Sequence, residues 1–461
     1  MMALEKIQIS GYRGFKELAT VNFAVPVQNK EGSGLSIITG ANNSGKSTIL
    51  ECLRARSGYN TPSFSSGVRN ASTEFINIVY SFTDIEERIH SIQKGSSEAI
   101  HTIPRSDSKI FCLPSRRTFS PFFGKGGIND RQTRIQQFGL PSARSPMLDG
   151  FESRLFKITS SEELKTEFNK LLSEVLGFTP DWAIDLSEQG GYFLKFFNSG
   201  HSHSSDGLGE GIVSIFSIID SLYDSTAKDI IVIDEPELSL HPSLQRRLSD
   251  VFYRYSKDRQ IIISTHSPYF INISALKNGA KITRVISTKS GSKVHQLTPE
   301  STEAINKLSS GNIYNPHTFG LDARELFFQD DGIILTEGQE DVVLFPQIAN
   351  SLEKKISGNF FGWGAGGAGN IIHLCKILSD LGFKKVTAIL DGDKLEETEK
   401  LRPLFPNYNF CNIPADDIRT KSAREATEEK AGLLDKKNNI RREHIESIKT
   451  LFESINKYMR D

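Results

Sequence analysis

The sequence predicts an α/β protein built as two successive domains, each around a parallel sheet. Three observations predict it. Aliphatic runs at Leu35-Ser36-Ile37-Ile38, Ile230-Ile231-Val232-Ile233 and Ile261-Ile262-Ile263 are apolar at nearly every position, as strands buried on both faces must be. A second series of such runs, Gly332-Ile333-Ile334-Leu335 and Val386-Thr387-Ala388-Ile389-Leu390, follows after a gap. Segments with helical spacing of apolar residues lie between the runs, and 461 residues suffice for several domains at about 150 residues each.

Taken in order, Ile7 and Ile9 alternate like a half-buried strand, and the run at Leu35 reads as a fully buried one. A glycine-rich loop follows at once, and Ser47 to Arg54 has helical periodicity, so the order is strand, loop, helix. From about residue 57 to residue 200 the pattern blurs into Ser/Gly/Pro-rich stretches with short strands and one helix, Ser161 to Leu176, and reads as an irregular insertion. Regular order returns with the strands at Asp229–Ile233 and Gln260–Ser264, separated by a helix over Leu244–Tyr255. The domain boundary is expected near Gly320, giving domains 1–320 and 321–461. Near the end, Ile445, Ile448, Phe452, Ile455 and Met459 recur at three- and four-residue steps, an amphipathic helix expected to pack on the second domain.

Composition narrows the classes. Fifty-five Lys and Arg balance 56 Asp and Glu, so no overall basic field draws the protein to nucleic acid and any such contact needs a local patch. Cys52, Cys112, Cys375 and Cys411 are scattered without a paired spacing, which argues against a zinc site or a disulfide framework and for a reducing cytoplasm. The first residues, MMALEKIQISGYRGF, lack an apolar leader core, and no run of 18 apolar residues occurs, so neither export nor a membrane span is expected.

Gly40-Ala41-Asn42-Asn43-Ser44-Gly45-Lys46-Ser47 fits the phosphate-loop pattern in the strand–loop–helix context that pattern requires. Glycines let backbone N–H groups turn toward a phosphate, the helix N-terminus adds positive potential, Lys46 spans the β- and γ-phosphates, and the Ser47 hydroxyl ligates Mg²⁺. The expected ATP-binding set is therefore Gly40, Asn42, Asn43, Ser44, Gly45, Lys46, Ser47 and Thr48. Downstream, four aliphatics end in Asp234-Glu235, placing two carboxylates at a strand's C-terminal edge. Asp234 is expected to hold the Mg²⁺ shell and Glu235 to polarise the attacking water.

With Pro236-Glu237-Leu238-Ser239-Leu240-His241-Pro242 behind that pair, the sequence resembles the ATP-binding-cassette ATPases, and within them the RecF/SMC/OLD-like group, whose first strand often reads like Ile9-Ser10-Gly11-Tyr12-Arg13-Gly14-Phe15. Ser205-Asp206-Gly207-Leu208-Gly209-Glu210-Gly211 is similar to the signature loop of that group, and Ser264-Thr265-His266-Ser267-Pro268 to its switch histidine. The resemblance implies a head-to-tail homodimer in which Ser205, Gly207 and Gly209 of one subunit cover the ATP of the other and His266 senses the γ-phosphate. No segment is assigned to the group's glutamine loop. Leu113-Pro114-Ser115-Arg116-Arg117 lies in that interval and is either a basic contact or a solvated turn.

A second site is expected where Thr336-Glu337-Gly338-Gln339-Glu340-Asp341 ends one strand and Asp391-Gly392-Asp393 ends another. Acids two residues apart on a strand point the same way, so Glu337, Asp391 and Asp393 can converge at one sheet edge as hard oxygen ligands for Mg²⁺ or Mn²⁺. The pattern resembles the Toprim fold, which implies a Glu for acid/base work and a D-x-D pair for metal, with Asp341 as a further ligand. Asp416-Asp417 offers either another carboxylate or a solvated turn, and Lys421, Lys436 or Lys437 a basic residue. The glycine run Gly362 to Gly369 reads as a tight turn before a helix over Ile371–Leu381.

An ABC-type ATPase followed by a Toprim region, joined through Leu321-Asp322-Ala323-Arg324-Glu325-Leu326-Phe327-Phe328, is similar to the OLD family. That resemblance implies a cytoplasmic ATP-dependent nuclease acting on DNA rather than RNA, with a defence role against phage as in retron and Gabija-like systems and a possible partner protein or RNA. Two alternatives stand beside it: a scaffold ATPase that clamps DNA or holds a partner effector, and a RecF-like repair ATPase that leaves strands intact.

Overall fold

A computed structural model describes residues 3–27, 29–57, 64, 67–102, 106–115, 151–198, 201–204, 210–309, 315–421 and 432–460. The chain divides into two units, Met1–Val294 and His295–Asp461.

In the first unit, β1 (Leu4–Ser10) pairs antiparallel with β2 (Ala19–Asn22), placing Ile7 and Ile9 inward with Phe15. Then β3 (Leu35–Thr39), buried at every position, leads through the glycine loop to α1 (Lys46–Ser57). Within the stretch expected to be irregular, β4 (Asn77–Phe82), β5 (Glu86–Ser91) and β6 (Ala99–His101) extend the first sheet in the order β2-β1-β4-β5-β6, and β7 (Ile110–Leu113) joins the sheet of β3. A further helix, α2 (Phe151–Thr159), precedes α3 (Glu162–Leu176), whose Ser161 hydroxyl caps the N–H groups of Glu163 and Leu164 and whose Gly177 ends it in the left-handed conformation. Three strands, β8 (Asp181–Leu186), β9 (Tyr192–Asn198) and β10 (His201–Ser204), form a separate antiparallel sheet. After α4 (Glu210–Tyr223) come β11 (Ile230–Asp234), α5 (Pro242–Tyr255), β12 (Gln260–Ser264), α6 (Ile273–Asn278), β13 (Lys281–Thr288) and β14 (Gly291–Gln296). The central sheet runs β14-β13-β3-β12-β11-β7, and β13, β3, β12, β11 and β7 pair in parallel. Parallel pairing puts the ends of β3, β11 and β12, and so the phosphate loop, Asp234 and Thr265, at one edge.

The short strand β5 hides its pattern because it buries a charge. Glu87, 0 % exposed, accepts hydrogen bonds from Arg56 Nε at 3.1 Å and Nη2 at 2.9 Å, from the Ser106 N–H at 2.5 Å, and pairs with His101 Nε2 at 3.0 Å. Burial by itself raises its pKa, but His101, Arg56 and the Ser106 N–H outweigh burial and hold it at about 2 against the usual 4.5. A depressed acid contributes stability that is present above its unfolded pKa and lost as pH falls through the folded one. Glu87→Gln, which takes from the buried Arg56 its carboxylate partner, is therefore expected to cost about 3 kcal/mol in urea unfolding at pH 7. That gap should begin to close below pH 4.5 and narrow further toward pH 2.

The second unit starts upstream of Gly320. α7 (Pro299–Leu308) packs against a later helix, and its cap residue Thr298 donates its N–H and hydroxyl to Asp380 Oδ2 at 2.7 and 2.6 Å. Two short turns, α8 (Pro316–Phe319) and α9 (Leu321–Arg324), flank Gly320 inside this unit. Next come β15 (Ile333–Thr336), α10 (Gln339–Ser351), β16 (Asn359–Phe360), α11 (Ala368–Asp380), β17 (Val386–Leu390), α12 (Leu395–Leu404), β18 (Asn409–Asn412), β19 (Asp417–Arg419), β20 (Gly432–Leu434) and α13 (Ile445–Arg460). Their four-stranded sheet, β16-β15-β17-β18, is parallel throughout, and β19 pairs with β20. Ile448, Phe452 and Ile455 of α13 enter the same core as Ile334, Phe345 and Ile413. Among the described residues no helix is long and apolar enough to cross a membrane.

Candidate nucleotide and carboxylate sites

The loop after β3 turns because glycines permit it. Gly40 has φ 137°, and a Cβ there would lie 2.1 Å from the Val285 carbonyl oxygen; Gly45 has φ 115°. Lys46, 5 % exposed, donates from Nζ to the carbonyls of Gly40 and Ala41, both at 2.9 Å, so its charge is fixed at the centre of the loop. Residues Asn42 to Thr48 line a cavity of about 710 Å³ together with Glu235 and His266. The buried Ser44 Oγ has no hydrogen-bond partner, which fits a loop built to receive an oxygen-rich ligand. Asp234 is buried at the end of β11.

Glu235 sits in the left-handed region at φ 47°, costly for a non-glycine residue, and its N–H donates to the Ser264 carbonyl at 2.7 Å. Burial lowers the His266 pKa and the nearby Lys46 ammonium lowers it further, against the opposing charge of Glu235. The three expected groups thus share one electrostatic environment. Residues 205–209, which hold Ser205, Gly207 and Gly209, lie outside the described residues, as do Arg116 and Arg117. Of that signature segment, Glu210 opens α4 and accepts from Ser239 Oγ at 3.0 Å.

Two neighbours went unassigned from sequence. Glu237, whose pKa burial raises, accepts from Thr265 Oγ1 at 2.8 Å and from the His266 N–H at 2.6 Å, tying the loop after β11 to the loop after β12. Its place two residues beyond Glu235 was the available signal. Arg13, at φ 48° and paired through Nε with Glu51 Oε2 at 2.8 Å, also lines the cavity.

In the second unit, β15 and β17 are parallel neighbours with Thr336 opposite Ile389, so Glu337 and Asp391 leave the sheet at the same edge. Glu337 Oε1 accepts the Asp391 N–H at 2.9 Å. Asp341 Oδ2 accepts the Gly338 N–H at 2.9 Å, closing the first turn of α10. Asp393 pairs with Lys394 at 3.2 Å. Asp417 is buried and takes Lys421 Nζ at 2.6 Å, whereas Asp416, Lys436 and Lys437 are exposed.

These acids feel one another. Burial pushes Asp391 up to about 8, helped by the charges of Glu337, Asp341, Asp417 and Asp393. Burial likewise lifts Asp341 to about 6, with Glu337 and Asp417 adding, and raises Glu337. Burial disfavours the Lys421 charge, but Asp417, Glu340 and Asp391 outweigh it and raise its pKa. Among the described residues no three acid, His or Cys side chains stand in a finished metal-holding geometry. Glu337 and Asp341 each accept a backbone N–H, and Asp393 pairs with Lys394. The donor set, hard oxygens in mutual repulsion, still fits a divalent cation.

The glycine turn lies against this edge. Gly362, Gly364, Gly366 and Gly367 all have positive φ, the Ala365 N–H donates to the Thr336 carbonyl at 2.8 Å, and the Gly367 N–H to the Glu337 carbonyl at 2.9 Å before α11 begins.

Residues 35–272 match the family model described as "AAA domain, putative AbiEii toxin, Type IV TA system", and residues 327–393 match the model of the overcoming lysogenization defect protein-like TOPRIM domain. Domains of these kinds use a nucleotide and a divalent metal ion. The Old nuclease of Escherichia phage P2 is 27 % identical over 162 residues, covering 34 % of this chain and 26 % of the relative. Endonuclease GajA of Bacillus cereus (strain VD045) is 22 % identical over 307 residues, covering 63 % of this chain and 48 % of the relative. The chain thus spans about a quarter and about half of these curated relatives. Among solved structures, an SMC head bound to the C-terminal winged-helix domain of ScpA matches with TM-score 0.41 and 15 % identity, over 65 % of this chain and 99 % of that one. With its AAA model spanning more than half of the chain, the chain belongs to that AAA-domain family, and a match to the OLD-like Toprim model follows it in the sequence.

Proposed function

We propose that this chain is an ATP-dependent nuclease that cleaves phosphodiester bonds, DNA rather than RNA, at the edge carrying Glu337, Asp391 and Asp393. The observation that supports it most is the parallel pairing of β15 with β17, which draws these three acids to one edge in the same chain as a phosphate loop. At that edge Glu337 acts as acid/base and Asp341, Asp391 and Asp393 supply oxygen ligands. When bound, Mg²⁺ or Mn²⁺ would activate water and stabilise the leaving oxygen. Lys421, Lys436 or Lys437 supplies a basic group for the phosphate.

In the first unit Gly40, Asn42, Asn43, Ser44, Gly45, Lys46, Ser47 and Thr48 hold ATP, Ser47 and Asp234 its Mg²⁺, Glu235 orients the water, and His266 reads the γ-phosphate. Ser205, Gly207 and Gly209 cover the nucleotide of a second copy in a homodimer. ATP state controls cleavage, in defence against phage, in the cytoplasm, with a partner protein or RNA. The hydrogen-bonded Glu337 and Asp341 and the Lys394-paired Asp393 favour one second reading, a scaffold ATPase whose Toprim region is an interaction module. Plasmid incubated with the purified chain, Mg²⁺ or Mn²⁺, and varied nucleotide separates them. Metal-dependent nicking is expected; ATP turnover with intact plasmid under every condition supports the scaffold.

A further inference from the structure

The chain has two tryptophans. Trp182 is 0 % exposed in the core of the first unit, whereas Trp363 keeps 45 % of its surface in solvent. Its exposed ring presents a π-face to solvent. The ring is also held in place. Its Nε1–H donates to Asp322 Oδ2 at 2.5 Å, and its carbonyl pairs with His317 Nδ1 at 2.8 Å. The turn that carries it is fixed on both sides, by the Ala365 and Gly367 N–H groups on the β15 end and by Asn370 Nδ2 on the Ala365 carbonyl at 2.9 Å. A Cβ at Gly364 would lie 2.5 Å from the Gly338 carbonyl oxygen, so the residue beside Trp363 touches the residue beside Glu337.

An immobilised, half-exposed indole next to a carboxylate edge is a platform whose ordering cost is already met. Every nucleobase offers a π-face, but only an unpaired base can lay it on a side chain. We propose that Trp363 is the stacking platform for an unpaired base of a single-stranded nucleic acid whose backbone runs to Glu337 and Asp391, so that the enzyme prefers single-stranded or opened substrate. This rests on the nuclease reading above.

The test uses the full chain in Ca²⁺ with labelled oligothymidine of about 20 nucleotides, reading binding by anisotropy and stacking by tryptophan emission. Because Trp182 is buried, an emission change reports Trp363. Oligothymidine is expected to quench emission, Trp363→Ala to bind about tenfold more weakly without quenching, and Trp363→Phe to bind within about threefold of wild type while its emission stays flat. Binding without quenching and with equal affinity in Trp363→Ala overturns the platform and leaves the nuclease reading standing. Tighter binding of duplex than of single strand does the same. No binding of either form overturns both.

Discussion

Glu235→Gln is expected to lower ATP turnover at least about a hundredfold while changing nucleotide affinity by less than about threefold. The argument is positional. Glu235 reaches the cavity from a left-handed backbone conformation that costs about 1–3 kcal/mol and is held by its N–H on the Ser264 carbonyl. Glutamine keeps the size, the backbone and the hydrogen-bonding oxygen, and loses only the charge that a water-orienting group needs. Lys46→Ala should behave differently, since the Lys46 ammonium is a ground-state contact at the loop centre and its loss weakens binding itself. Phosphate release and equilibrium binding of a fluorescent nucleotide separate the two; parallel losses of affinity and turnover in Glu235→Gln would make Glu235 a binding group.

Asp391→Asn is expected to abolish metal-dependent cleavage without lowering stability. Most buried substitutions destabilise, but burial and the charges of Glu337, Asp341, Asp417 and Asp393 hold Asp391 at about 8, so in the metal-free chain at pH 7 a neutral Asn replaces an already protonated acid of the same shape. Its backbone N–H, which donates to Glu337, survives the change. The unfolding midpoint in chelator should therefore equal or exceed that of the parent chain, and cleavage in Mn²⁺ should fall below detection. A lowered midpoint with residual cleavage would place Asp391 in the scaffold of the edge rather than in its chemistry.

Much of the fold could be read in advance because its central strands are buried on both faces. The runs at Leu35, Ile230, Ile261, Ile333 and Val386 are apolar at successive positions, which no surface element would tolerate. Ser161 and Gly177 likewise announce their helix locally. The antiparallel sheet through β4 to β6 stayed hidden since its strand β5 buries Glu87, and that charge is acceptable only beside Arg56 and His101, partners distant in sequence. The grouping of α7 with α11 is not legible locally either, since it shows in the bonds of Thr298 to Asp380, residues far apart in sequence. At the sites, motifs name the residues that touch a ligand but not those that hold them. Glu237 acts on Thr265 and His266 across two strands, Asp417 rather than Asp416 turns inward, and Gly364, beside Trp363, comes close to the Gly338 carbonyl.

Counting Mn²⁺ ions bound per chain at equilibrium, without nucleotide, by the resonance of the free ion tests the carboxylate edge most directly. The prediction is an ion that persists in Lys46→Ala and disappears in both Glu337→Gln and Asp391→Asn. Absence of any ion, or an ion indifferent to both acid substitutions, would contradict it.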